Sequence, residues 1–211
     1  SEMCIRDSVY TGFKWIANVM RENEGKKNYI GGGEESYGFL CEDFVRDKDA
    51  VSACVILAEI AAWAKDQGLS LYQLLQKIYV EYGFSKEKGI SVVKKGKSGA
   101  EEIEAMMKKF RENPLTEIAG SKVTYFYDYS TLKGKDYAEN ETVTLDMPTT
   151  SNVLQYFTED NTKVSIRPSG TEPKIKFYCE VHSKVKSIDE LPEAEKAAEE
   201  KINQIKASLG I

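Results

Sequence analysis

The chain has 211 residues, 41% of them hydrophobic, which is room for one large or two modest domains with real cores and excludes disorder throughout. Its 29 basic and 34 acidic residues leave a net charge of −5, with no basic stripe interleaved with aromatics, so nucleic acid is not an expected partner. The longest apolar run, 50–64, is broken by Ser52 and Glu59 and is too short to span a bilayer, and no secretory signal precedes it; a soluble, cytoplasmic protein with no membrane contact is expected.

In chain order, a helix is predicted from Phe13, with Phe13, Ile16, Ala17 and Met20 at helical spacing and Gly25 as its breaker. A short strand over 27–30 is predicted to deliver the glycine-rich loop Tyr29-Ile30-Gly31-Gly32-Gly33-Glu34-Glu35-Ser36-Tyr37-Gly38. Asp49 is the predicted cap of a helix over 50–66, with Val51, Cys54, Val55, Ala58, Ala61 and Ala62 facing inward and Gly68 at its end. Ser70 caps the next predicted helix, which carries Leu71, Leu74, Leu75, Ile78 and Tyr79 and runs to Gly83. Residues 84–89 are charged and lack a periodic pattern, so a domain boundary is expected there.

Beyond it, the pattern predicts a strand over 90–95 and a helix over 98–113, with Ile103, Met106, Met107 and Phe110 as its stripe and Pro114 as its stop. Strands are predicted over 122–129, 141–145 and 153–157, the last two joined through Pro148. Residues 163–166 and then Ile175, Phe177, Cys179 and Val181 alternate with period two, the signature of a hairpin, and a helix over 191–209 with a solvated charged face closes the chain. This order after residue 84 suits a small antiparallel sheet with helices on one face. Cys4, Cys41, Cys54 and Cys179 are scattered without a C-x-x-C and are expected to be reduced and mostly buried. His182 is the single histidine and has no neighbour to complete a metal site, so a structural or solvent role is expected.

Two loops carry chemistry. The hairpin tip reads Arg167-Pro168-Ser169-Gly170-Thr171-Glu172-Pro173-Lys174-Ile175-Lys176. Its prolines stiffen both ends, Gly170 permits a positive φ or a close backbone approach, Ser169 and Thr171 add hydroxyls, and Arg167 offers a planar fork for phosphate oxygens. Such a turn by itself also fits a plain strand connection. In the glycine-rich loop, Glu34, Glu35 and Ser36 offer carboxylates and a hydroxyl to the alcohols of a sugar, the alternative being ordinary surface charge. Ser169 as a nucleophile is disfavoured, because no G-x-S-x-G frame surrounds it.

The two loops, in this order and far apart, resemble the C-terminal part of the α-D-phosphohexomutases, the phosphoglucomutase and phosphomannomutase superfamily, from about Val9 to the end. The Gly-Gly-Glu-Glu-Ser-Tyr-Gly motif followed by Asp43-Phe44-Val45-Arg46-Asp47-Lys48-Asp49-Ala50 resembles the long bacterial type most. The resemblance implies a fold of α/β plus α+β class: an incomplete third mutase domain over 9–83, with its opening strands absent, then the fourth domain over 84–211. Residues 1–8 match nothing in the pattern and read as a foreign scar or a fragment end.

The resemblance implies that Glu34 and Ser36 contact ring hydroxyls, that Glu35 organises the loop, and that Lys48, and less directly Lys14, approach the phosphosugar. Lys48 also fits a solvated helix lead-in. It assigns phosphate holding to Arg167, Ser169, Gly170 and Thr171, with Lys176, or else Lys174, as a second cation. The parent activity implied is isomerisation of hexose 1- and 6-phosphates, glucose or mannose phosphate, through a bisphosphate. It uses a phosphoserine and Mg²⁺ held by aspartates, and neither the Ser-His-Asn-Pro motif nor an Asp-x-Asp-x-Asp loop is in this chain. The chain is therefore expected to be inactive alone and to have the preceding mutase domains as partners. The alternatives are a stand-alone phosphosugar-binding module and a phosphopentomutase-type substrate.

Overall fold

The computed structural model describes residues 9–34, 36–94, 96–170 and 172–211, the side chain of Lys97 excepted. The chain divides into two compact units, Ser1–Leu75 and Gln76–Ile211. Among the described residues no helix is long and apolar enough to cross a membrane.

In the first unit, α1 (Phe13–Glu22) packs Phe13 and Met20 against Leu40, with Ile16 and Tyr29 around them. The strand predicted over 27–30 is displaced: the glycines themselves form β1 (Gly31–Gly33), paired antiparallel with β2 (Phe39–Cys41), Gly32 opposite Leu40. The cause is crowding. A Cβ on Gly32 would lie 2.6 Å from the Tyr29 hydroxyl and 2.9 Å from Ile16 Cγ2, so only glycine lets the strand lie this close to the side chains around α1. Tyr29 then donates to the Leu40 carbonyl at 3.2 Å and staples the hairpin.

Helix α2 (Ala50–Asp66) starts as predicted, with Asp49 accepting from the Val51 and Ser52 N–H groups at 3.3 and 2.9 Å. It ends at Gly68, whose φ of 70° allows the Leu69 N–H to reach the Ala64 carbonyl. Its expected inward stripe is overturned. Val51, Cys54, Val55, Ala58 and Ala62 are exposed, Ala61 is half-buried, and Ala64 alone of the helix is buried. The helix is apolar on every side, so periodicity could not choose a face, and the two short strands of this unit offer too little surface to cover it. Val51 remains 74% and Trp63 55% exposed.

Helix α3 (Leu71–Tyr82) opens with a reciprocal cap: Ser70 Oγ accepts from the Gln73 N–H, and Gln73 Oε1 accepts from the Ser70 N–H at 2.9 Å. Its Tyr79 and Val80 pack on the core of the second unit, whereas Leu71, Leu75 and Ile78 stay exposed.

The second unit contains β3 (Phe84–Val93), α4 (Gly96–Glu112), β4 (Glu117–Ile118), β5 (Ser121–Asp128), β6 (Lys133–Asp136), β7 (Glu141–Thr144), β8 (Leu154–Thr158), β9 (Lys163–Pro168), β10 (Lys174–Ser183) and α5 (Leu191–Leu209). The strands form an antiparallel sheet in the order β3-β10-β9-β8-β5-β6-β7, with β4 beside β5. Residues 84–89, which lack a periodic pattern, are the first six of the ten residues of edge strand β3. The signal was hidden because Lys86 and Lys88 occupy positions opposite Val181 and Cys179, where an apolar residue is the usual choice. They reach α5 instead, pairing with Glu195 at 3.0 Å and with Glu199.

The core lies between the sheet and α4 and α5. Ile103, Met107 and Phe110 of α4 and Ile202 and Ile205 of α5 meet Tyr156, Val164, Ile166, Ile175 and Phe177. The Phe110 and Phe177 rings meet edge to face at 6.2 Å. Tyr156, fully buried, donates to the Phe110 carbonyl at 3.0 Å, and burial pushes its phenol well above the ordinary range.

The thiols divide sharply. Cys179 is 1% exposed, and burial pushes it up to about 11, with Lys206 opposing weakly. Cys41 is half-buried, but Cys54 is exposed, against the expectation of mostly buried thiols, because it rides on the uncovered α2; Cys4 lies outside the described residues. A thiol whose folded value is raised stays protonated below it, so at pH 8 iodoacetamide is expected to alkylate Cys54 and spare Cys179 until the unit unfolds. Peptide mass spectrometry reads this directly, and early labelling of Cys179 would contradict it. His182 is exposed and bonds Glu180 at 2.8 Å.

Candidate functional site

In the first unit the β1–β2 hairpin fixes Glu34. Its N–H donates to the Gly38 carbonyl at 2.7 Å and its carbonyl accepts from the Tyr37 N–H at 3.1 Å, closing a tight turn. Lys48 arrives from the other direction, since the Asp49 N–H donates to the Phe39 carbonyl at 3.0 Å and ties the start of α2 to β2. Lys48 Nζ then stands 3.9 Å from Glu34 Oε2, 3.2 Å from Asp47 Oδ1 and 5.9 Å from the Phe13 ring centre. The Glu34 side chain is only 12% exposed while that of Lys48 is 50% exposed, so a recessed carboxylate sits beside a cation that reaches solvent. The Lys48 backbone N–H, with its ammonium in support, holds the Asp47 carboxyl below its usual range.

Gly38 makes this arrangement possible. Its φ is not positive, so the requirement is space: a Cβ there would overlap Glu34 Oε2 and come within 2.7 Å of Lys48 Cδ. Gly38→Ala is expected to push both side chains out of register and to lower the thermal midpoint; an unchanged melting curve would contradict this.

The other candidates of this unit are less engaged. Ser36 is exposed in the turn. Lys14 is exposed with Nζ 5.2 Å from the Trp15 ring centre, and the structure does not bring it into an ion pair with Glu34. Glu35 lies outside the described residues.

In the second unit, the hairpin of β9 and β10 places Arg167 directly opposite Lys176 and Ile175 opposite Pro168. Directly opposed residues share one face with Cβ atoms about 5 Å apart, and like charges so placed repel. Neither cation is within ion-pair distance of a carboxylate among the described residues, while Lys174 is taken up by Glu172. Lys174, and then Lys176, holds the Glu172 carboxyl below its usual range. The loop is closed by the Ser169 N–H on the Lys174 carbonyl at 2.8 Å and by the Glu172 N–H on Ser169 Oγ at 3.3 Å. Gly170 does not take the left-handed conformation, so the positive φ that the sequence permits is not used, and a Cβ there would meet nothing within 4 Å. Thr171 lies outside the described residues. The arrangement is a pair of like charges at a braced turn, electrostatically suited to an anion.

Comparison with known proteins decides the family. Residues 7–82 match the family described as phosphoglucomutase/phosphomannomutase, alpha/beta/alpha domain III, and residues 91–198 match phosphoglucomutase/phosphomannomutase, C-terminal domain. The chain belongs to the phosphoglucomutase/phosphomannomutase family. It is 38% identical over 174 residues to a phosphoglucomutase of Staphylococcus haemolyticus, covering 82% of this chain and 31% of that protein. A Staphylococcus aureus phosphoglucomutase is 41% identical over 170 residues, covering 81% and 30%. The chain thus spans under a third of the length of these relatives. Among solved structures, the exocytosis-sensitive phosphoprotein pp63/parafusin from Paramecium, a phosphoglucomutase in an open form, superposes with a TM-score of 0.51 at 20% identity, covering 84% of this chain and 29% of that one; the likeness is one of fold.

Within this mutase-family chain, sequence reasoning missed several supporting groups. In the sequence Gly38 is only part of a motif, whereas its crowding by Glu34 and Lys48 exists only in three dimensions. Lys94 carries no sequence signal, yet its N–H donates to the Pro173 carbonyl at 2.9 Å and braces the turn between β9 and β10 from the end of β3. On the Arg167 face, Tyr129 donates to Gln155 at 2.7 Å and Gln155 to Ser165 at 2.9 Å, a relay that alternation along single strands does not reveal.

Proposed function

We propose that this chain is the sugar- and phosphate-recognising part of a cytoplasmic phosphohexomutase that interconverts hexose 1-phosphate and hexose 6-phosphate, glucose or mannose phosphate, through a bisphosphate. The domains are taken as 9–83, a partial sugar-binding α/β domain, and 84–211, the phosphate-binding α+β domain. The observation that carries the reading is the opposed pair Arg167 and Lys176 at a braced hairpin, in a chain whose relatives are phosphoglucomutases.

In this reading Arg167, Lys176, Ser169, Gly170 and Thr171 hold the non-reacting phosphate. A clamp that reads charge and tetrahedral shape accepts either the 1- or the 6-phosphate, as the two half-reactions require. Glu34, organised by Glu35 and joined by Ser36, accepts hydrogen bonds from ring alcohols. Lys48 neutralises negative charge near the sugar, and Lys14 adds a weaker cation at the start of α1. Family mutases are expected to use Mg²⁺ at the transferring phosphate. The described residues do not fit it, having no group of three or more His, Cys, Asp or Glu side chains arranged for a metal, and none of these residue roles depends on one.

The missing mutase domains are the partners in this reading, and transfer needs a nucleophile that this sequence lacks. The chain alone, given glucose 1-phosphate, glucose 1,6-bisphosphate and Mg²⁺, is expected to form no glucose 6-phosphate while still binding the sugar phosphate by calorimetry. Turnover by the isolated chain, or no binding, would contradict the reading.

A further inference from the structure

The sugar loop holds one residue that its fold does not need. Tyr37 is 97% exposed, above every other large apolar side chain described as exposed, and its backbone lies in the left-handed region at φ 70°. That conformation is costly for a residue with a Cβ, and glycine or asparagine meets it far better. Exposed apolar groups on α2 have a different origin: they sit on a regular helix with ordinary backbone, and their exposure reflects the small surface beneath them. Among the described residues no packing compensates the strain at Tyr37, whose side chain is 97% exposed. Strain of this kind is retained where it presents a group to something else.

The hydrogen bond from the Tyr37 N–H to the Glu34 carbonyl sets the ring's backbone within the same turn as the recessed carboxylate. A pyranose has a polar rim of hydroxyls and an apolar face of C–H groups. A carboxylate serves the rim, and the electron-rich face of a phenol serves the C–H groups. We propose that Tyr37 is the stacking platform for the apolar face of the sugar ring whose hydroxyls Glu34 accepts, which makes it a determinant of selection for a pyranose phosphate over a bare phosphate. This rests on the reading of the glycine-rich loop as the sugar loop and deepens it.

The test is calorimetry on the 211-residue chain with glucose 1-phosphate and inorganic phosphate, with three variants. Tyr37→Phe keeps the ring and is expected to bind glucose 1-phosphate as the parent does. Tyr37→Asn keeps a residue tolerant of positive φ but removes the ring; it is expected to bind glucose 1-phosphate about 2- to 10-fold more weakly, with inorganic phosphate unchanged and the thermal midpoint not lowered. Glu34→Gln separates the two failures. If Glu34→Gln weakens glucose 1-phosphate and Tyr37→Asn does not, the stacking role is wrong and the loop assignment stands. If neither variant changes binding, or the parent chain prefers the sugar phosphate no more than inorganic phosphate, the loop assignment falls and the stacking role with it. A Tyr37→Asn chain that loses both ligands equally also overturns the proposal.

Discussion

Arg167→Ala is expected to weaken glucose 1-phosphate, glucose 6-phosphate and inorganic phosphate alike, each by about 10- to 150-fold, the range for removing a hydrogen bond to a charged group. The uniformity matters more than the size. A guanidinium that reads only phosphate cannot distinguish which carbon carries it, so a selective loss would mean that Arg167 touches the sugar. The fold should tolerate the change: Arg167 is half-buried, and its removal ends the repulsion across the strand pair from Lys176, so the thermal midpoint should hold or rise slightly. Calorimetry with the three ligands and a melting curve separate lost recognition from lost structure.

Phe177→Ala is expected to destabilise the second unit by about 3–5 kcal/mol. Phe177 is fully buried between the sheet and α4, edge to face with Phe110, and lies next to Lys176 on β10. The cavity left by the ring cannot be refilled by a sheet held on both sides, since β10 pairs with β3 and β9 along its length. A loss of this size is comparable to the whole stability of many domains, so phosphate binding should fail through unfolding. Denaturant titration followed by circular dichroism measures it; a loss below about 1 kcal/mol would mean that the core does not depend on this ring.

Much of the second unit was legible because its strands alternate cleanly and its helices carry one apolar stripe. The helix at Leu191–Leu209 and the strand pair around Arg167 fall where periodicity predicts them. What was not legible has specific causes. In β3, lysines occupy the positions that face α5, and their carboxylate partners lie over a hundred residues later in the chain, so no local pattern betrays a strand. In β6 the sequence Lys133-Gly134-Lys135-Asp136 has no apolar residue, and the strand exists because its backbone pairs with β5 and β7. In α2 the apolar residues encircle the helix, and a period cannot be read from a pattern that has none.

The candidate sites divide in the same way. The residue types of both loops were visible as motifs, because carboxylates among glycines and an arginine before a stiffened turn are local signals. Their pairings were not. Glu34 meets Lys48 through a hairpin and a helix start, and Arg167 meets Lys176 through a register that only the folded sheet defines. The choice between Lys174 and Lys176 was open in the sequence, and the geometry separates them: one is engaged by Glu172, the other faces Arg167.

One loop of this chain is proposed to take the phosphate and the other the sugar. A nitrogen-15 correlation NMR titration of the chain reads both at once. Inorganic phosphate is predicted to shift amides between Arg167 and Lys176 only, and glucose 1-phosphate to shift those and, in addition, Gly33, Glu34, Tyr37, Gly38 and Lys48. Shifts induced by glucose 1-phosphate that spare both loops and cluster elsewhere would contradict the account.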